Sequence, residues 1–69
     1  MRTRLRVKEI AVEKKVSMTR LHIRSEVAYT TIRKIFRDPY TDITLTTLNK
    51  LAQALNVSTR DLIEDVPEE

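Results

Sequence analysis

The 69-residue sequence contains no cysteine, no glycine and no tryptophan, and it has one histidine and two prolines. Disulfides are therefore excluded, and His22 alone falls short of the roughly four ligands that a zinc ion takes. We interpret His22 as a surface or partly buried side chain. The lack of glycine excludes the usual glycine-rich phosphate loops. We expect no metal and no cofactor, so packing, alone or with a partner subunit, holds the fold together.

Long apolar runs are also absent. The longest one near the basic N-terminus is Ile10-Ala11-Val12, which is far shorter than a signal peptide core or a membrane span. We expect a cytoplasmic protein with no membrane partner. A chain of this length buries only about 60% of the surface that it exposes when unfolded, which leaves no room for a catalytic cleft. Its serines lie where caps and turns are expected, and we expect no enzyme.

Charge is distributed unevenly along the chain. Residues 1–37 carry eleven Lys and Arg against three acidic residues, a net +8, whereas residues 38–69 carry two against seven, a net −5. A field of this sign attracts polyanions to the N-terminal half. The basic arm formed by Arg2, Arg4, Arg6 and Lys8 has a second interpretation, because runs of charge are often no more than a solvated face.

Composition and spacing favour an all-α fold. Hydrophobic residues make up 41% of the chain and charged residues 33%, and apolar residues recur with helical spacing. We predict five helices, over about Arg4–Lys15, about Met18–Arg24, from Ala28 or Tyr29 to Arg37, along a stripe of Leu45, Leu48, Leu51, Ala52 and Leu55, and a short last one that buries Leu62 and Ile63. They form one compact bundle over residues 1–69, with a core over about 5–64.

Residues that begin and end helices support these bounds. Ser17 and Thr44 are good N-caps, Ser58 and Asp61 are spaced as a capping box, and Asn56 tolerates the left-handed end of a helix. Pro39 ends the third helix, because the residue before a proline avoids helical geometry. We expect the acidic tail, Asp65–Glu69, to fray.

The third helix has two distinct faces. With Ile32 at the centre of the buried side, Ala28, Ile35 and Phe36 fall near it at 100° per residue. Thr30, Arg33, Lys34 and Arg37 gather on the opposite side, and Tyr29 lies on the flank. Three cations within two turns repel one another unless a polyanion lies against them, and a helix fits the DNA major groove.

The second and third helices have the proportions of a helix-turn-helix. The segments "VKEIAVEKKVSMTRL", "VAYTTIRKI" and "ITLTTLNKLAQALNVSTRDLI" resemble the DNA-binding domain of the Cro and phage-repressor (Xre-like) family of bacterial regulators, from Val7 to Ile63. The resemblance implies a bundle of the lambda-repressor-like type. It also implies that Tyr29, Thr30, Arg33 and Lys34 face bases, and that Met18, Thr19, Arg20, Arg37, Tyr40 and Thr41 lie near the DNA backbone.

Four residues depart from the family's pattern. Met18 replaces the usual glutamine and cannot make its phosphate hydrogen bond, and Ala28 is a weak N-cap. His22 replaces a small alanine inside the second helix, so it must find space or tilt outward. Glu26 stands where glycine is commonest in the turn, so we expect a turn that avoids the left-handed conformation.

These features predict a sequence-specific double-stranded DNA-binding regulator of transcription that acts as a repressor, with the third helix in the major groove. The alternative is an antitoxin or another protein-docking module with the same fold and a protein partner. The acidic C-terminal end and the spare apolar residues Leu5 and Val12 motivate it. Those two are either scattered surface residues or part of a homodimer contact, which would use the first or the fifth helix.

Overall fold

The computed structural model describes residues 1–67, which form four α-helices, a 3-10 helix and two short strands. In chain order these are β1 (Arg2–Leu5), α1 (Val7–Glu13), α2 (Met18–Ser25), α3 (Tyr29–Arg37), α4 (Leu45–Leu55), the 3-10 helix (Thr59–Leu62) and β2 (Ile63–Val66). The prediction of a small, mostly helical fold is confirmed. The five-helix bundle needs correction, because its fifth helix is one 3-10 turn and because the strands pair into a sheet.

The sheet joins the two ends of the described chain. β1 runs antiparallel to β2, with Arg2 opposite Val66 and Leu5 opposite Ile63. The prediction that the first helix starts at about Arg4 is therefore wrong, because Arg4 and Leu5 belong to β1 and α1 begins at Val7. Backbone bonds fix this strand on both sides. The Leu5 N–H donates to the Pro39 carbonyl and the Arg6 N–H to the Leu62 carbonyl, each over 2.7 Å.

The C-terminal segment is more ordered than the sequence suggested. The expected fraying is wrong for Asp65 and Val66, because they pair with Thr3 and Arg2 in the sheet. Glu68 and Glu69 lie outside the described residues. These pairs join residues that are more than 60 positions apart, so no local pattern signals them.

The hydrophobic core lies between the four helices and beneath the sheet. Its largest fully buried side chains are Val7, Leu21, Ile32, Leu51, Leu55 and Leu62. Leu5 is also buried, so its interpretation as a spare surface residue is wrong, whereas Val12 is exposed. The stripe of α4 begins at Leu48, because Leu45 is 75% exposed, contrary to prediction. Ile63 was expected to be buried and is 37% exposed at the start of β2.

The predicted caps are confirmed. The Ser17 hydroxyl accepts from the Arg20 N–H over 3.2 Å, and the Thr44 hydroxyl accepts from the Thr47 N–H over 3.1 Å. Asn56 ends α4 in the left-handed conformation, and Ser58 and Asp61 form the capping box of the 3-10 helix. No side chain caps α3. These caps fix where α2 and α4 begin, which are the helices directly before and after α3.

The turn between α2 and α3 differs from the prediction. Glu26 takes the left-handed conformation, with φ 61° and ψ 19°, although a residue with a Cβ pays about 1–2 kcal/mol for it. The conformation reverses the chain while the Glu26 N–H still donates to the His22 carbonyl over 3.0 Å. Three residues therefore separate the end of α2 from the start of α3.

Candidate nucleic-acid interface

α3 presents a cationic ridge, which we define as Thr30, Arg33, Lys34 and Arg37. All four are exposed, whereas Ile32 and Ile35 on the other side are buried and Phe36 packs against the core. The four ridge residues and the half-buried Thr31 line one open depression on the surface. Sequence reasoning missed Thr31. Its position, one residue from Thr30 and three from Lys34, could have indicated that it borders the ridge. The depression is shallow and open to solvent, so a large ligand can reach it.

The ridge cations form no ion pair with an acidic side chain in the described part of the chain. Within residues 1–67 every ion pair belongs to the N-terminal arm, where Arg4 pairs with Glu9 and Glu64 and Arg6 pairs with Glu9. None of these pairs involves Arg33, Lys34 or Arg37. Within residues 1–67, ion pairs therefore partly cancel the positive charge of the arm, whereas the cations of α3 take part in no ion pair.

The arm's ion pairs shift the acid–base properties of their members. A hydrogen bond from Arg4 is the main reason that the pKa of Glu9 lies below its ordinary value. Hydrogen bonds to Glu9 and then Glu64 raise the pKa of Arg4. The Arg4 Nη1 atom lies 2.6 Å from Glu64 Oε1, so this pair also joins β1 to β2. These cations have a structural use.

The start of α2 carries three of the residues that were predicted to lie near the DNA backbone. Thr19 and Arg20 are exposed, whereas Met18 is half-buried and packs against the core. The first N–H groups of a helix have no intrahelical partner, and that of Arg20 is already taken by Ser17. A ligand at this end of α2 would meet exposed side chains and free N–H groups.

The segment after α3 is held in place by local contacts. The Tyr40 N–H donates to the Asp38 carboxylate over 3.0 Å, and the Thr41 N–H donates to the Asp38 carbonyl over 3.2 Å. The guanidinium of Arg2 lies 3.8 Å from the centre of the Tyr40 ring. Tyr40 and Thr41 are half-buried. This contact between the arm and Tyr40 has no signal in the sequence.

Tyr29 is the first residue of α3 and lies beside α2. It is 36% exposed, and its ring meets the His22 ring edge to face, with centroids 6.0 Å apart. His22 is half-buried, and its Nδ1 atom lies 2.6 Å from the Val27 carbonyl oxygen. The structure thus gives His22 space at the junction of α2 and α3. Tyr29 stands at the end of the ridge, partly covered and partly open.

The described part of the chain shows no sign of a metal site or a membrane span. No group of three His, Cys, Asp or Glu side chains in residues 1–67 is arranged to hold a metal ion. No helix in that range has the length and apolar character needed to cross a membrane.

Comparison with known proteins agrees with this geometry. The family model of the Cro/C1-type HTH DNA-binding domain matches residues 6–68. No curated protein sequence matches the chain. The matched range includes α2, the turn at Glu26 and α3, which together form the helix-turn-helix. The chain therefore belongs to the Cro/C1-type helix-turn-helix DNA-binding domain family.

Proposed function

We propose that the protein is a sequence-specific regulator that represses transcription by placing α3 in the major groove of double-stranded DNA. The observation that supports this most directly is the cationic ridge, which faces away from the core and has no acidic partner within residues 1–67. Membership of a DNA-binding family supports DNA as the polyanion that the ridge would bind. The three cations repel one another in the free protein, so a polyanion relieves that repulsion.

The proposed residue roles are those that the family resemblance implies. Tyr29, Thr30, Arg33 and Lys34 read base edges, where an arginine can bridge the two acceptors of guanine. Backbone contacts come from Met18, Thr19, Arg20, Arg37, Tyr40 and Thr41. Met18 has no side-chain donor, so it contributes through its peptide N–H, which no helical carbonyl takes up. Tyr40 contributes its hydroxyl, since Arg2 lies over its ring.

The decisive experiment is selection of bound duplexes from a random pool, followed by inspection of the selected sequences. We expect one preferred sequence, and a palindrome if the protein binds as a homodimer, with half-sites about 34 Å apart. Binding to it should weaken with salt at a slope of about −4.5 in log K against log salt, because about five phosphates are neutralised.

The same experiment separates the rival function. A protein that binds no duplex at low ionic strength, and that instead forms a complex with another protein at high salt, is a docking module or an antitoxin. Enrichment of a defined sequence excludes a purely protein-docking role. Repression itself is tested by placing the selected sequence across a promoter and measuring transcription with and without the protein.

A further inference from the structure

His22 connects the last turn of α2 to the beginning of α3. Its Nδ1 atom lies 2.6 Å from the carbonyl oxygen of Val27, and its ring meets the ring of Tyr29 edge to face at an interplanar angle of 83°. Because a carbonyl oxygen can only accept, Nδ1 must carry the proton. One side chain therefore contacts both the turn and the first residue of α3.

Side chains of α2 hold both backbone polar groups of Val27. The Val27 N–H donates to the Ser25 hydroxyl oxygen over 3.2 Å, while its carbonyl accepts from His22. The Ser25 hydroxyl in turn donates to the Leu21 carbonyl over 2.6 Å, and Ser25 is buried. The backbone two residues before Tyr29 is thus tied to α2 on both sides.

The left-handed Glu26 makes these ties necessary. Glycine takes this conformation freely, whereas a residue with a Cβ keeps it only where its surroundings hold it. Glu26 is exposed, so its own side chain is not packed in place. The surroundings are the Glu26 N–H bond to the His22 carbonyl and the two bonds to Val27. His22 takes part in the first with its backbone and in one of the others with its ring.

We propose that His22 is a positioning residue that sets the orientation of Tyr29 and so determines base discrimination at the position that Tyr29 reads. This rests on the proposed function of α3 in DNA recognition. An edge-to-face contact prefers a defined geometry of the two rings, so it restricts where the Tyr29 phenol points. The hydrogen bond to Val27 holds the His22 ring itself in place.

The two contacts are separable by substitution. His22→Phe keeps a ring for Tyr29 and loses the donor, His22→Asn keeps a donor near the Nδ1 position and loses the ring, and His22→Ala loses both. Tyr29→Ala identifies which base pair of the selected duplex Tyr29 reads. Binding of each variant is measured to that duplex and to duplexes with single base-pair changes, and unfolding of each variant is measured alongside.

We expect His22→Ala to lower discrimination about two- to tenfold at the base pair that Tyr29→Ala identifies, and to leave the other base pairs unchanged. His22→Phe should restore most of it and His22→Asn little. Adding His22→Ala to Tyr29→Ala should cause no further loss there. In the free wild-type protein, nitrogen chemical shifts of the His22 ring should show a protonated Nδ1, whatever the fate of the variants.

Several outcomes contradict the inference alone. They are an equal loss at every base pair in His22→Ala, unchanged discrimination in His22→Ala, or a neutral ring that is protonated on Nε2. A wild-type protein that binds no duplex at low salt overturns the proposed function and this inference together. If His22→Ala fails to fold, His22→Phe and the ring nitrogen shifts still decide between these results.

Discussion

The N-terminal arm and α3 are both basic, but the structure uses their charges differently. In the arm, Arg4 pairs with Glu9 and Glu64 and Arg6 pairs with Glu9, while Arg2 lies over the Tyr40 ring. On α3, Arg33, Lys34 and Arg37 have no ion pair with any residue in 1–67. The number of cations in a segment therefore does not show whether they are available to a ligand, because that depends on their neighbours in space.

The two regions also differ in what their charges do for stability. Exposed ion pairs such as those of the arm contribute little each, but Arg4 and Glu64 face each other across the sheet, and their pairing favours its register. The ridge cations are spaced three and four residues apart, so they destabilise an isolated helix by a few tenths of a kcal/mol per pair. The arm supports the fold, whereas the ridge costs stability until a polyanion binds.

The largest effect is expected at Arg33. Arg33→Ala should lower discrimination between the selected duplex and others by about 1–3 kcal/mol, because it removes a bidentate base contact. Arg60→Ala is the matched control, since Arg60 is an exposed arginine in the acidic half of the chain. Binding titrations against the selected and a random duplex measure the difference. An equal loss on both duplexes would remove Arg33 from the base-reading set.

A smaller and more uniform effect is expected at the other two ridge cations. Lys34→Ala or Arg37→Ala should weaken binding to all duplexes similarly and reduce the steepness of the salt dependence by about 0.9, the value for one phosphate contact. Lys34 also borders base edges in the proposed geometry, so its effect is the less even of the two. Lys50→Ala is the control, because Lys50 is exposed on α4. An unchanged salt slope in both variants would place the phosphates elsewhere.

The smallest effect is expected in the arm, and it concerns stability. The pKa of Glu9 is lowered in the fold, so its pairing stabilises the protein above the ordinary carboxylate range, and this stability is lost as pH falls through the folded pKa. Glu9→Gln should therefore be less stable than wild type near neutral pH. The difference should vanish in acid, as denaturant unfolding across that pH range would measure.

DNA binding by Glu9→Gln should be unaffected, in contrast to its stability. Glu9→Gln should keep the selected duplex's affinity and salt slope, because Glu9 lies in α1, where it pairs with Arg4 and Arg6 of the arm, and not on the ridge. A large loss of sequence discrimination in Glu9→Gln would show that the arm takes part in recognition, and the division between the two basic regions would then be wrong.

Local signals explain why so much of the helical frame was predictable. Ser17 and Thr44 accept N–H groups within their own helix turns, and Pro39 acts on the residue directly before it. Each of these effects spans four residues or fewer, so the sequence carries it. The outward direction of the ridge follows in the same way from the position of Ile32 on the helix. The proposed DNA contacts of the ridge remain predictions.

Other features depend on residues that are distant in sequence. In the sequence, Leu5 looks like a spare apolar residue. It is buried because β2 and the 3-10 helix lie beside it in the fold. Glu26 reads as unsuited to a left-handed turn until the Val27 peptide is held by Ser25 and His22. Arg4 reads as one more basic residue of the arm until Glu64 lies opposite it. Fold contacts changed the interpretation of all three.

The sequence by itself determined α2, α3 and α4, the caps that begin α2 and α4, and the ridge, because helix periodicity and capping depend on neighbours within one or two turns. Only the tertiary structure decided that residues 2–5 and 63–66 form a sheet, that Arg4 and Arg6 of the arm are paired, and that the cations of α3 form no ion pair within residues 1–67. The physical reason is that an ion pair or a strand pair is a contact in space, and its two partners need have no regular spacing along the chain.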